Sequence, residues 1–177
     1  TIPDNVTDIG TSAFDSSTQI YCYENSVAHN YAVDNSLEYI LIKLHSVNNK
    51  VNIDYDNSVI FSFTDICTDI EKIISTAQNY ILSVSESLSA GNTKLYGTGS
   101  KVVVEDELSN TIEYTIITVG DLNGDSVVDV LDCAVAQLYS AGFHEPTQNE
   151  IYAANGCISD EFDVNSYQNV VNMALAS

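Results

Sequence analysis

Near the N-terminus apolar residues fall at Ile2, Val6, Ile9 and Phe14, with Pro3-Asp4-Asn5 as a turn. Residues 20–23 read as a short strand. Val27, Ala28, Tyr31 and Ala32 recur at helical spacing behind Ser26, which would cap that helix. Residues 37–42 read as another strand. Apolar and polar residues alternate over 51–55 and 59–63, and Asp56-Asn57-Ser58 between them is a hairpin signal. Thr68-Asp69-Ile70-Glu71 is a capping box ahead of Ile73, Ile74 and Ala77, which predicts a helix over 69–76. Strands are predicted over 80–84, 101–105 and 112–119, with Gly91-Asn92 and Gly97-Thr98-Gly99 in loops. This order predicts a small sheet with one helix across a face. Beyond Gly120 the period becomes helical. Cys133, Ala136 and Tyr139 define one helix ending at Gly142, and Pro146 opens a second that runs to Ala154. Tyr167, Val170 and Met173 define a third. The fold class expected is α+β.

Composition narrows the function. The chain of 177 residues is 45% hydrophobic and 17% charged, a globular balance. Its 25 acids against 5 bases give a net charge of −20. Such a surface repels phosphates, which argues against nucleic acid, and suits calcium or a basic protein surface. No apolar run approaches the ~20 residues of a membrane span, so no membrane partner is expected. No signal-peptide pattern is read in these residues. The chain opens in mid-pattern without Met, so it reads as the C-terminal part of a longer protein. Four cysteines, Cys22, Cys67, Cys133 and Cys157, lack zinc-site spacing. Four buried thiols are expected, with a Cys133–Cys157 bridge as the alternative. The three histidines, His29, His45 and His144, neighbour no pattern that suggests a triad. With no Trp, a sugar-stacking platform would need several of the 11 Tyr on one face, and no such cluster is seen. A single Met argues against a Met-rich target groove of the calcium-sensor kind. Gly97-Thr98-Gly99-Ser100 is not a phosphate loop, because no Lys follows in Walker spacing and no helix opens after it.

The most informative stretch is residues 121–132. Asp121, Asn123, Asp125, Asp129 and Asp132 stand at the first, third, fifth, ninth and twelfth places, with Val127 placed to lend its carbonyl at the seventh. This is the spacing of an EF-hand-type calcium loop. Ca²⁺ is a hard cation taking about six to eight oxygen ligands, so a short loop wraps it only if alternate residues point inward. The twelfth residue is Asp instead of the longer Glu, and Ser126 stands where Gly usually makes the turn. A strand, not a helix, leads into the loop.

A strand-loop-helix half-site ending in Asp resembles a dockerin repeat. A second loop aligns with the first if Phe162 matches Val128 and Asp163 matches Asp129. Asn155, Cys157, Ser159, Glu161, Asp163 and Ser166 then occupy the ligand places. Tyr167, Val170 and Met173 fall opposite Cys133, Ala136 and Tyr139. The duplication persists in the apolar frame and is lost in the ligands, so one tight Ca²⁺ site is expected and the second is weak or absent. Residues 120–177 therefore resemble a dockerin, the calcium-dependent plug that docks a secreted protein onto a cohesin of a cellulosome scaffold. The resemblance implies an extracellular, cellulosome-associated, non-catalytic adaptor. It also implies partner contacts at Val130, Leu131, Ala134, Gln137 and Leu138, and at Val164, Asn165, Gln168, Val171 and Asn172. The two helices differ at most of these places, so one docking orientation is expected.

Upstream, Ile2-Pro3, Val6, Ile9-Gly10 and Ala13-Phe14 resemble one unit of the leucine-rich repeats of bacterial surface proteins. The strand-helix-strand after it resembles the cap that ends such arrays. Residues 96–104 resemble the β-rich modules that precede dockerins. The domains expected are 1–43, a repeat unit and cap; 44–119, a β-rich module; and 120–177, the dockerin-like module. The competing reading is the C-terminal part of a secreted enzyme or carbohydrate-binding protein with a purely structural calcium site.

Overall fold

The computed structural model describes residues 2, 5–42, 44–46, 51–62, 74–76, 81–85, 88–90, 93–105, 109 and 111–176. The chain is a mixed α+β protein. Strand β1 (Ile20–Cys22) and strand β2 (Tyr39–Leu41) pair in parallel, Ile20 opposite Tyr39. Parallel strands need a crossover, supplied here by helix α1 (Val27–Asp34). Ser26 caps it as expected, its Oγ accepting from His29 N at 3.1 Å. Ala28 and Ala32 are small enough to bring α1 against buried Ile20, Cys22 and Leu37. Ile2, Ile9 and Phe14 close this cluster, with Phe14 meeting Tyr31 edge-on at 5.8 Å.

The central sheet has the order β4-β5-β11-β10-β7. Its strands are β4 (Val51–Asp54), β5 (Val59–Ser62), β7 (Ile81–Ser85), β10 (Lys101–Glu105) and β11 (Thr111–Thr118). All its pairs are antiparallel except β5 with β11. The β4–β5 hairpin forms where the alternation placed it. Asn57 N donates to Asp54 Oδ1 at 3.0 Å in its turn, and Ser58 takes the left-handed φ of 53°.

Strand β3 (Leu44–Ser46) pairs with β6 (Ile74–Thr76), and β8 (Leu88–Ala90) pairs with β9 (Thr93–Leu95). Neither pair was expected. The helix predicted over 69–76 does not hold at 74–76, where β6 follows Leu44–Ser46 instead; β-branched Ile74 and Thr76 suit a strand. The capping box itself, Cys67, Phe63, Gly91 and Asn92 lie outside the described residues, as do Pro3 and Asp4 of the N-terminal turn.

Side chains alternate across the sheet. Ile60 on β5 and Tyr114 and Ile116 on β11 face one apolar cluster with Leu44, Val51, Tyr96, Val102 and Val104. Val59, Phe61 and Ile117 face the other way, into a cluster that contains Leu122, Ala136, Ala153, Ala154 and Val170. This second face is covered by helices from the C-terminal end. These are α2 (Val130–Ser140), α3 (Gln148–Asn155) and α4 (Val164–Ala176). Helix α2 packs on α4, and α3 packs on α4 and β11. Thr147, not Pro146, caps α3, in a capping box with Glu150. Gly142 follows α2 with a left-handed φ of 69°.

Between β11 and the acidic loop stands Gly120, whose φ is 95° and whose N–H donates to Ala153 O at 2.9 Å. A Cβ there would lie 2.7 Å from Val128 Cγ1. Only glycine fits this joint.

Candidate functional site: the acidic loop at residues 121–132

Local chemistry shapes the loop. Asp121 and Asp132, its first and last places, are both fully buried. Asp121 Oδ1 accepts from Gly124 N at 2.7 Å. Its Oδ2 accepts from Ser126 N at 3.1 Å and from Thr98 N, outside the loop, at 2.9 Å. Asp132 Oδ1 accepts from Leu122 N at 2.8 Å and Asn123 N at 3.1 Å, while Oδ2 accepts from Asp129 N at 2.9 Å. Asp129 returns the bond as N-cap of α2, its Oδ1 accepting from Leu131 N at 2.7 Å. The last carboxylate therefore ties the first turn of α2 to the start of the loop.

The middle of the loop is more open. Asn123 is exposed and Asp125 half-buried. Asp125 Oδ2 accepts from Asn123 Nδ2 at 2.9 Å, and Oδ1 accepts from Val127 N at 2.9 Å. Gly124 and Ser126 carry left-handed φ values of 77° and 68°. Ser126 thus makes the turn usually given to glycine, at a cost of about 1–2 kcal/mol of backbone strain.

Burial pushes the Asp121 carboxyl up to about 6; the Thr98 amide opposes this, the Asp132 charge adds to it, and the Gly124 and Ser126 amides oppose it. Burial likewise raises Asp132 against the amides of Asp129, Asn123 and Leu122. No Lys or Arg follows Lys101 in the sequence. Lys101 itself pairs with Glu113 on β11 at 3.1 Å. Asp121 and Asp132 are thus two buried carboxylates with no basic side chain in their own segment. Of the six expected ligand positions, Asn123 bonds Asp125, Val127 N bonds Asp125 and Asp129 N bonds Asp132. Among the described residues, however, no three His, Cys, Asp or Glu side chains are grouped so as to hold a metal ion. The carboxylates of Asp121 and Asp132 are taken up by loop amides and by the Thr98 amide.

The second loop is closed differently. Ser166, fully buried at the twelfth place, lies 2.8 Å through its Oγ from Asn155 Oδ1 at the first. The same hydroxyl lies 3.1 Å from Asp163 Oδ1 and accepts from Asp163 N at 3.0 Å. Asn155 Nδ2 spans the loop to Glu161 O at 3.1 Å. Ser159 Oγ donates to Glu161 O at 3.2 Å, and Phe162 packs edge-on against Tyr139 at 5.5 Å. Two ionised carboxylates at first and twelfth places are acceptors only and cannot bond each other. An amide and a hydroxyl can, so the second loop is cross-linked directly by its own side chains.

Cys157 at the third place is exposed and Cys133 half-buried, against the expectation of buried thiols; Cys22 alone of the described cysteines is buried. Cys157 follows Gly156, the left-handed residue that ends α3, and so begins the exposed loop. Cys22, Cys133 and Cys157 are all free thiols, so the alternative Cys133–Cys157 bridge is not formed.

The helix faces separate cleanly. On α2, Ala136 and Tyr139 are buried, while Val130 is 73% exposed, Leu131 55% and Leu138 47%. Ala134 and Gln137 are exposed beside them. At 100° per residue these five fall on one stripe. On α4, Val164, Asn165, Gln168 and Asn172 are exposed, but Val171 is half-buried, against its expected place on an open face. Phe143, just past α2, is 81% exposed and was not singled out from the sequence.

Two of the histidines have structural settings. His29 Nδ1 accepts from Asn25 N at 3.0 Å, and His144 stacks on Tyr139 at 6.0 Å. A cleft of about 300 Å³ between the N-terminal unit and the β4–β5 hairpin is lined by Tyr21, Asn52, Ile53, Asp54, Tyr55 and Asp56. Tyr21 donates to Asp56 there, and its ring is tilted 33° from that of Tyr55. The chain matches no protein-family model, no curated protein and no solved structure.

Proposed function

We propose that the chain is a non-catalytic adaptor whose residues 120–177 form a dockerin-like plug for a cohesin of a cellulosomal scaffold. Residues 1–43 are the terminal unit and cap of a leucine-rich-repeat region, and 44–119 a β-rich spacer. The observation that carries this reading is the pair of buried carboxylates, Asp121 and Asp132, in a segment with no Lys or Arg. Asp121, Asn123, Asp125, Asp129, Asp132 and the Val127 carbonyl would hold one Ca²⁺. Bound there, the ion would supply the positive charge that these carboxylates lack.

Asp132 fixes the entry of α2 through three amides. The orientation of Val130, Leu131, Ala134, Gln137 and Leu138 therefore depends on the loop. That stripe is apolar but for Gln137, exposed and carried by an acidic module, the composition of a partner-binding surface. Val164, Asn165, Gln168 and Asn172 offer a more polar second stripe, with Val171 partly withdrawn. The two unequal stripes favour one docking orientation. Such a protein belongs outside the cell, where free calcium is abundant.

The test is a pull-down of the full chain against a panel of purified cohesins, with calcium and with EDTA. Capture by at least one cohesin in calcium, lost in EDTA, is expected. No capture by any, or capture indifferent to EDTA, contradicts the proposal.

A further inference from the structure

The Gly97-Thr98-Gly99 turn, which precedes β10, meets the acidic loop directly. Thr98 N donates to Asp121 Oδ2 at 2.9 Å, which makes a β-module amide one of the three that hold this buried carboxylate. The approach is very close. A Cβ on Gly97 would lie 2.5 Å from Gly124 O, 2.6 Å from Asp121 Oδ2 and 2.7 Å from Ser126 N. A Cβ on Gly124 would lie 3.0 Å from Thr98 O. Two glycines, one on each side, permit this contact.

The turn is also firmly anchored. Thr98 Oγ1 donates to Thr118 O at 3.1 Å and accepts from Thr118 N at 3.2 Å. Thr118 O in turn accepts from Asp121 N at 3.0 Å. Gly99 N donates to Ile116 O at 2.9 Å. The end of β11, the turn and the first loop residue thus form one hydrogen-bonded bracket.

We propose that Gly97 and Thr98 are positioning residues of the calcium site, so that calcium affinity of the acidic loop depends on the β-rich module. This rests on the calcium reading of that loop. The Thr98 amide fixes one carboxylate oxygen of Asp121, and Gly97 leaves the room for it. The sheet thereby supplies a shell that the 121–132 sequence cannot provide for itself.

Gly97 has no left-handed φ, so alanine is compatible with its backbone and disturbs only the contact with the loop. In the full chain, Gly97→Ala should weaken calcium binding by about tenfold or more, the worth of a charge-assisted hydrogen bond. The sheet should remain intact by circular dichroism. In an NMR calcium titration of the unaltered chain, the Thr98 amide should shift with the same midpoint as those of Gly124 and Ser126. Unchanged affinity in a folded Gly97→Ala chain overturns the proposal. So does a Thr98 amide that stays still while Gly124 and Ser126 move. Should Gly97→Ala fail to fold, the titration of the unaltered chain decides alone. If the unaltered chain takes up no calcium at all, the calcium reading itself falls, and this proposal with it.

Discussion

Asp121 and Asp125 show how two acids of one loop take different burdens. Asp121 is buried and accepts from three amides, so its carboxylate organises the backbone whether or not a metal is present. Asp121→Ala should cost about 1–3 kcal/mol in EDTA, because buried amides lose their acceptor. Half-buried Asp125 bonds only within the loop, so Asp125→Asn should lower calcium affinity while leaving urea stability in EDTA within about 0.5 kcal/mol. Comparable urea stability of the two variants in EDTA would contradict this division. In the second loop, Ser166→Ala removes the donor to Asn155 Oδ1 and should cost about 1–2 kcal/mol, equally in calcium and in EDTA. A penalty that appears only in calcium would mean that this loop holds metal after all. The acidic spacing of residues 121–132 was legible because it is local in the sequence. The burial of Asp121 was not, since it depends on Thr98, distant in sequence, and no local pattern encodes that contact.

Helices and hairpins were read well where period and caps agreed. Ser26 before α1, Gly142 after α2 and the turn at Asp56-Asn57-Ser58 all stand where their chemistry placed them. The strand at Ile74–Thr76 was misread because a short apolar run fits either period, and pairing with Leu44–Ser46 decided it. On α2 the separation of core from surface follows helical spacing, which gives a sharp prediction. Leu138 is 47% exposed and Ala136 wholly buried. Leu138→Asp should abolish cohesin binding while leaving calcium affinity unchanged and stability within about 0.5 kcal/mol, measured by calorimetry and urea unfolding. If Leu138→Asp folds and still binds every cohesin that the parent binds, the α2 stripe is not the docking surface.

At the scale of the molecule, the apolar cluster crosses position 120. Phe61 and Ile117 of the sheet lie in it with Ala136, Ala153 and Val170 of the helices, and Phe61 meets Tyr152 at 6.4 Å. The short joint at Gly120 hinted at this, but sequence alone could not say which face of the sheet the helices cover. The β-rich and helical parts should therefore tumble as one body in NMR relaxation. Phe61→Ala should cost about 3–5 kcal/mol and lower sheet and helix unfolding transitions together. Separate transitions would mean the shared cluster does not couple them. The central claim is that a single metal site lies in the acidic loop while the second loop closes on its own hydrogen bonds. A calorimetric calcium titration of the full chain tests it most directly. One tight site, lost in Asp125→Ala and untouched in Ser166→Ala, is the predicted result. Two comparable tight sites, or no binding at all, would contradict it.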